Sequence, residues 1–479
     1  MDRSEGERRG ARRPADQPET EGSRPSRSRR SVTGSAEAPV AEMGPPRKAG
    51  RLSWGEETQE SGRSFRHAWR KRSQADFAAT TERDRKRGGA DPKRAGASLP
   101  LPVLYGGRSM KVCVYAIAKN EEEFVDRWVS SMMEADCICV LDTGSGDKTV
   151  EKLADWGVTV RQEIVDPWRF DAARNRSLAL VPADADICVC TDLDEVFRPG
   201  WREALEEAWA PGTEQLRYTY IWSFDGAGRP GTSFLYEKIH APGVFEWEHP
   251  VHEVLRRTDG KKRWDVSTCR EIVLEHHPDA AKSRAGYLEL LELSVQEAPE
   301  DDRNAHYLGR EYMFRGRWDD AIRQLQAHLA MPAATWAPER CASMRFLSRC
   351  YLHKGERRQA AVWALRALAE CPETREPWVQ AEEAAYAAED WDGVIYYGTR
   401  AAAIEKKSDS YINEAKAWGA WPWDAMAYAY YRLGDLERAE QATLRALAEE
   451  PGNERLRLLG NLAFFRGRGG KRHDDTGSH

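Results

Sequence analysis

From residue 110 onward the hydrophobic positions fall into short blocks whose spacing changes along the chain. Lys111–Ile117 (KVCVYAI), Cys137–Leu141 (CICVL), Val158–Gln162 and Ile187–Thr191 (ICVCT) are brief runs, mostly apolar. Runs of this length are predicted to be strands, covered on both faces where the apolar stretch is unbroken. Between them Phe124–Met133, Thr149–Trp156 and Arg174–Leu180 read as helices, and after Trp201–Trp209 the character changes. Strand and helix in alternation predict a parallel α/β sheet with right-handed crossovers. Beyond it Leu216–Trp222, Ser233–Ile239 and Val244–Trp247 are strand-like and aromatic-rich.

From about Arg284 the pattern is helical, and a phrase recurs: Tyr307–Ile322, Phe346–Gly355, Ala384–Val394 and Ala427–Ala439. Its turn positions, Gly316, Gly355, Glu389 and Gly434, are separated by 39, 34 and 45 residues. That resembles tetratricopeptide repeats with two units stretched by insertions. A single helix pair cannot cover its own apolar face, so such units come as an array. The array implies a stacked surface suited to a protein partner, a dimer contact or an extended acceptor, and no chemistry of its own.

Residues 1–99 are rich in Arg, Ser, Gly, Pro and Glu and poor in large aliphatics. Such a segment cannot bury enough apolar surface to offset the entropy of ordering, so a disordered tail is expected. Phe65, Trp69 and Phe77 would mark one short helix at most, and the basic run Arg83–Arg87 reads as solvated. The expected division is therefore a tail over 1–105, the α/β domain over 106–280, helical repeats over 281–465 and a short tail over 466–479.

Composition changes the picture in two places. The 479 residues carry a formal net charge of −6, yet residues 1–99 hold 23 Lys and Arg against 15 Asp and Glu. The remainder is thus acidic, which removes any global case for nucleic-acid binding. The nine cysteines include no C-x-x-C pair, and Cys137, Cys139, Cys188 and Cys190 sit inside apolar runs. They are expected to be buried thiols of a reducing compartment, and a cytoplasmic location follows by default, since no apolar run approaches ~18 residues.

The candidate chemistry lies at the ends of the predicted strands. The first runs into Ala118-Lys119-Asn120-Glu121-Glu122, the second into Asp142-Thr143-Gly144-Ser145-Gly146-Asp147-Lys148-Thr149, and the fourth into Thr191-Asp192-Leu193-Asp194-Glu195. In a parallel sheet these clusters converge on one edge, where ligands gather. Asp192-x-Asp194 directly after an apolar strand suits a hard divalent cation with room left for substrate phosphates.

Together these stretches resemble the family 2 glycosyltransferases of the GT-A fold. The likeness covers about Lys111–His277 and includes Phe170-Asp-Ala-Ala-Arg-Asn175, Val251-His-Glu253 and His276-His-Pro278. The last two also resemble the bacterial branch with C-terminal tetratricopeptide repeats. The resemblance implies a nucleotide-diphospho-sugar donor, UDP-sugar by preference, Mn2+ or Mg2+ as cofactor, and an acceptor that is a peptide, protein, glycan or small molecule. By the same resemblance Ala116, Lys119, Asn120 and Glu121 line the nucleotide pocket, and Asp142 contacts the base or ribose. Arg174 and Asn175 lie near the base or diphosphate. Asp192 holds the ribose or a metal-bound water, Asp194 ligates the metal directly, and His252 is the further ligand. His276 and His277 are expected to be structural.

Inversion at the anomeric carbon needs one carboxylate as general base. Glu237, Glu246, Glu248 and Glu253 are the candidates, with Glu253 favoured because it follows His252. There are two rival readings. Val140-Leu-Asp-Thr-Gly-Ser145 is like an aspartic-protease loop, but it occurs once and leads into a helix. The alternative is a non-catalytic tetratricopeptide scaffold with a degenerate transferase domain.

Overall fold

The computed structural model describes residues 110–474, apart from 226, 227, 279–285, 451 and 453, with no side chains described beyond residue 467. The expected tail over 1–105 and residues 475–479 lie outside that range.

The first half is built on one mixed sheet. Strands β1 (Val112–Ala118), β2 (Cys137–Asp142), β3 (Thr159–Gln162) and β4 (Ile187–Cys190) are parallel neighbours, with β1 between β2 and β4. Helices α1 (Val125–Met132), α2 (Thr149–Asp155) and α3 (Phe170–Leu178) form the crossovers. Every residue of β4 is buried, and only Ile117 of β1 is not fully so. Continuous apolar sequence is what a strand covered on both faces requires.

After β4 the sheet stops being parallel. A short β5 (Glu195–Phe197) leads into α4 (Trp201–Ala208), then β6 (Gln215–Ile221), β7 (Ser233–His240) and the 11-residue β10 (Val266–His276). Strand order is β3-β2-β1-β4-β7-β6-β10-β5, with β7 antiparallel to both its neighbours. The sheet expected to be parallel is therefore mixed. Trp128 of α1 and Trp201 of α4 are fully buried in the core beside Val114, Val140 and Val189. Burying a side chain of that size is worth roughly 3 kcal/mol. A separate hairpin, β8 (Phe245–Glu248) and β9 (Val254–Arg257), stands off the sheet.

The second half is helical: α5 (Tyr287–Glu297), α6 (Asp302–Phe314), α7 (Trp318–Ala330), α8 (Ala337–His353), α9 (Arg357–Glu370), α10 (Arg375–Ala388), α11 (Trp391–Ala402), α12 (Ala415–Trp418), α13 (Trp421–Arg432), α14 (Leu436–Glu449) and α15 (Arg455–Asp474). The last helix runs past residue 465, where the sequence pattern placed a tail. Gly316, Gly355, Glu389 and Gly434 follow the first helix of each hairpin, all with left-handed φ of 60–84°. That conformation ends a helix and feeds the next. Glu389 is the one non-glycine among them. Gly309 allows close approach of α6 to α7: a Cβ there would lie 2.6 Å from Leu325 Cδ2.

Among the described residues the halves meet through two loops and through Arg169, just before α3, which donates to Glu297 at 2.6 Å. The β8–β9 connection places Val251 in a cluster with Leu288, Leu291, Tyr307 and Leu308. Asn304 Nδ2 lies 3.1 Å from His249 Nδ1, and Arg303 donates to the His252 carbonyl at 2.8 Å. The second contact is the insertion between α11 and α12. There Lys407 Nζ donates to the Gly231 carbonyl at 2.6 Å, and Arg270 holds the Asp409 carboxylate at 2.6 and 3.0 Å. Its far end lies along the first helices of successive hairpins, where Glu414 pairs with Arg345 and Arg349 of α8.

Candidate active site

The strand ends do converge, and the loops they run into are stitched together. Asp142 is fully buried. Its Oδ1 accepts the Gly144 and Ser145 amides at 3.1 Å, and the Ser145 hydroxyl donates to its other oxygen. The carboxylate expected to meet the base or ribose is thus committed to its own loop. Gly144 has a left-handed φ of 105°, a conformation that disfavours any side chain there. Across the gap the Gly146 amide donates to Asn120 Oδ1 at 2.7 Å, and the Asn120 amide donates to Ser145 Oγ at 2.8 Å. The Glu121 amide donates to Thr149 Oγ1 at 2.7 Å. Lys119 is exposed. Ala116 is buried inside β1, its carbonyl accepting the Ser177 hydroxyl at 2.6 Å.

At the end of β4, Asp192 lies between two buried cations. Arg174 Nη2 is 2.9 Å from Asp192 Oδ1, and Lys238 Nζ is 3.2 Å from Oδ2. Burial alone would push the Asp192 carboxyl up; Arg174 and Lys238 outweigh it and hold it well below the usual carboxylate range. Lys238 also stands 3.6 Å from Glu195, which accepts from the Tyr220 hydroxyl at 2.7 Å and from the Asp192 amide at 2.9 Å. Burial raises the Glu195 carboxyl despite Lys238. Arg174 extends the network to Glu253, whose carboxylate accepts from its Nε, and lies 5.2 Å from the centre of the Trp247 ring.

Asp194 meets a different partner. β10 pairs with β5 so that His276 is opposite Glu195, and the His277 amide donates to the Asp194 carbonyl at 2.8 Å. This register brings His276 Nε2 to 3.5 Å from Asp194 Oδ2. The other ring nitrogen donates to the Trp222 carbonyl at 3.1 Å, and the ring stacks on Trp222 at 4.4 Å. Burial would lower the pKa of the His276 imidazole, but the facing Asp194 carboxylate outweighs it and raises it above the usual value. Arg127 lies within electrostatic reach of Asp194 and Glu121, its own charge disfavoured by burial.

His252, expected as the further ligand, has its ring stacked on Tyr307 of the helical array at 4.1 Å. It is His276, expected to be structural, that faces Asp194. His277 is placed by Glu275, 3.1 Å from its Nε2, and by Phe224. Asn175 is a fastener: its side-chain amide forms two 2.8 Å hydrogen bonds with the Trp247 backbone. Among the four glutamates, Glu237 pairs with Arg217 and Glu248 with Arg256, both arginines being exposed, and Glu246 is exposed. Glu253 alone of the four joins the Asp192 network.

Lys238, Arg127 and the placement of His276 beside Asp194 were not expected from the sequence. One signal was present for Lys238: strand alternation puts it on the face of Phe234 and Tyr236, where a charge needs a carboxylate partner.

Residues 113–260 match the family model for glycosyl transferase family 2. The chain carries a family 2 glycosyltransferase domain. The domain is of the type that uses nucleotide-sugar donors, and it is followed by the helices α5–α15. Solved structures similar to the chain include MamA, at 16% identity over 34% of this chain and 87% of that one, TM-score 0.29. Another is a thermophilic tetratricopeptide-repeat protein of Thermus thermophilus, at 20% identity over 37% and 90%, TM-score 0.30. No protein with a curated description matches. Among the described residues no helix is long and apolar enough to cross a membrane.

Proposed function

We propose that this domain transfers a sugar from a nucleotide diphosphosugar, UDP-sugar first among them, to an acceptor hydroxyl or thiol with inversion at the anomeric carbon. The observation that carries the proposal is the pair Asp194 Oδ2 and His276 Nε2, 3.5 Å apart at the end of β4. Carboxylate oxygen and imidazole nitrogen at that separation suit a shared Mn2+ or Mg2+ ion. Such an ion would offset the charge that builds on the departing diphosphate.

The chain's own residues supply the rest. Asp192, kept ionised by Arg174 and Lys238, is set to accept from the ribose or from a metal-bound water. Glu253 is the general base. It takes the proton of the acceptor O–H or S–H as that atom attacks C1, while the bond from C1 to the diphosphate oxygen breaks and the nucleoside diphosphate leaves. Arg174 orients Glu253 and Asp192 together. His252 belongs to the contact with the helical array in this account.

A second reading, a non-catalytic scaffold, draws on one observation: Asp192 is already neutralised by two side-chain cations. Scanning fluorimetry with UDP and manganese separates the two. A working site at ~100 times its dissociation constant should gain roughly 2.7 kcal/mol. A donor panel read by nucleotide release should then give turnover that Asp194→Ala abolishes. No stabilisation by any nucleotide–metal pair would favour the scaffold.

A further inference from the structure

A second cluster of metal-ligating groups lies inside the helical array. Asp302 opens α6, His328 is in the last turn of α7, and Glu339 is in the first turn of α8. Each offers one ligand atom, and the three atoms lie within 4.8 Å of one another. His328 is fully buried and Glu339 is 4% exposed. The cluster is acidic: among the described residues no Arg or Lys is ion-paired with Asp302 or Glu339, and buried Arg303 reaches Glu339 only through the longer-range electrostatic field.

The histidine supplies an independent observation. A single hydroxyl, Ser343 Oγ, serves two rings, standing 2.8 Å from His306 Nδ1 and 2.9 Å from His328 Nδ1. It can donate to one nitrogen and must accept from the other. With His328 as the donor, Nε2 presents a bare lone pair towards Glu339. That buried Nε2 has no hydrogen-bond partner, and Glu339 Oε1 lies 3.6 Å away. Donor atoms around tetrahedral zinc stand about 3.3 Å apart, given bonds of ~2.0–2.1 Å. The Nε2 to Oε1 separation is therefore close to one edge of a zinc site. The other oxygen of Glu339 accepts from the Tyr411 hydroxyl at 2.8 Å, the kind of outer contact that fixes a ligating carboxylate.

The geometry points to a divalent transition-metal site of the zinc type formed by Asp302, His328 and Glu339, separate from the Asp194 site. Three protein ligands from three helices leave a fourth position for water. The ion would tie α6, α7 and α8 together and, through Tyr411, hold the insertion that contacts β7. Its mixed nitrogen and oxygen ligands favour zinc or cobalt over magnesium.

The test uses the full chain carrying Asp194→Ala, so the transferase site cannot supply the signal. Equilibrium dialysis with zinc should leave one equivalent bound, and zinc should raise Tm. The cobalt-loaded chain should show the intense visible absorption of a tetrahedral centre. Adding Asp302→Asn or Glu339→Gln should weaken zinc binding at least 10-fold and remove the Tm rise, while the metal-free Tm of Asp302→Asn, a partly exposed position, stays within a few degrees. No retained zinc, or equal retention in both added variants, overturns the proposal and leaves His328 and Glu339 as a buried structural contact. A folding failure of Glu339→Gln leaves Asp302→Asn to decide.

Discussion

Two buried polar assemblies in this molecule handle charge in opposite ways. At the end of β4, carboxylates and cations are interleaved: Asp192 has Arg174 and Lys238, and Arg174 in turn has Glu253. In the helical array Asp302, His328 and Glu339 contain two carboxylates and no paired Arg or Lys among the described residues. The first assembly balances itself, apart from Asp194 and His276 at its rim. The second leaves a carboxylate pair facing a bare imidazole nitrogen. A self-balanced network orients groups for a substrate that arrives and leaves, whereas an unbalanced one has room for a resident cation.

The largest break in this comparison should come from Arg174→Met. It leaves Asp192 and Glu253 without their shared guanidinium, and removal of one partner from a buried pair costs about 3–5 kcal/mol. Chemical denaturation would read that loss, and a cost below about 1 kcal/mol would mean that water already satisfies both acids. Next is Tyr411→Phe, which removes the hydroxyl from Glu339. An expected loss near 1 kcal/mol would show that the helical carboxylate depends on its neutral partner, and no loss would detach the insertion from the cluster.

Acidification sharpens the contrast from another side. His240 is fully buried, accepts from the Tyr115 hydroxyl at Nε2 and donates from Nδ1 to the Ala241 carbonyl. Burial drives its pKa down to about 4 from 6.5, outweighing the carbonyl. A base whose folded pKa is depressed takes up its proton first in the unfolded chain, so stability falls as pH drops below 6.5 and levels off near 4. Between pH 6.5 and 5.5 this one group should cost about 1 kcal/mol, measurable as a drop in denaturation midpoint that His240→Gln abolishes. The smallest effect is a gain. Glu389→Gly relieves a left-handed φ at a helix end and should stabilise by about 0.5–1 kcal/mol, while the same change away from a left-handed position should destabilise.

How much of this was legible in the sequence follows from the same contrast. β1, β2 and β4 announce themselves as apolar runs, and the polar residues after them must collect at one edge; Asp192, Asp194 and the Asp142–Asp147 loop could therefore be found. β5 has only three residues and β10 interrupts its apolar positions with charges, so neither pairing was visible. His276 depends on both, since only the β10–β5 register puts it opposite Glu195. His252 follows a strand end in sequence, yet its loop is drawn into the helical array by Val251, Arg303 and Tyr307. Within the array, helical periodicity separates core from surface but not one buried polar residue from another. Asp302, His328 and Glu339 come from three helices, and no spacing rule joins them. The repeat turns were readable because their left-handed positions are mostly glycine, and Glu389 was found only by its interval.

The central claim is that Asp194 and His276 form the metal site of the transferase. Manganese activation of donor turnover, titrated in His276→Ala and His252→Ala, tests it most directly. His276→Ala should lose manganese-dependent nucleotide release by at least ~100-fold, equivalent to roughly 2.7 kcal/mol, while His252→Ala should keep the wild-type half-saturation for manganese. The reverse pattern, with His252→Ala losing metal dependence and His276→Ala keeping it, would contradict the account.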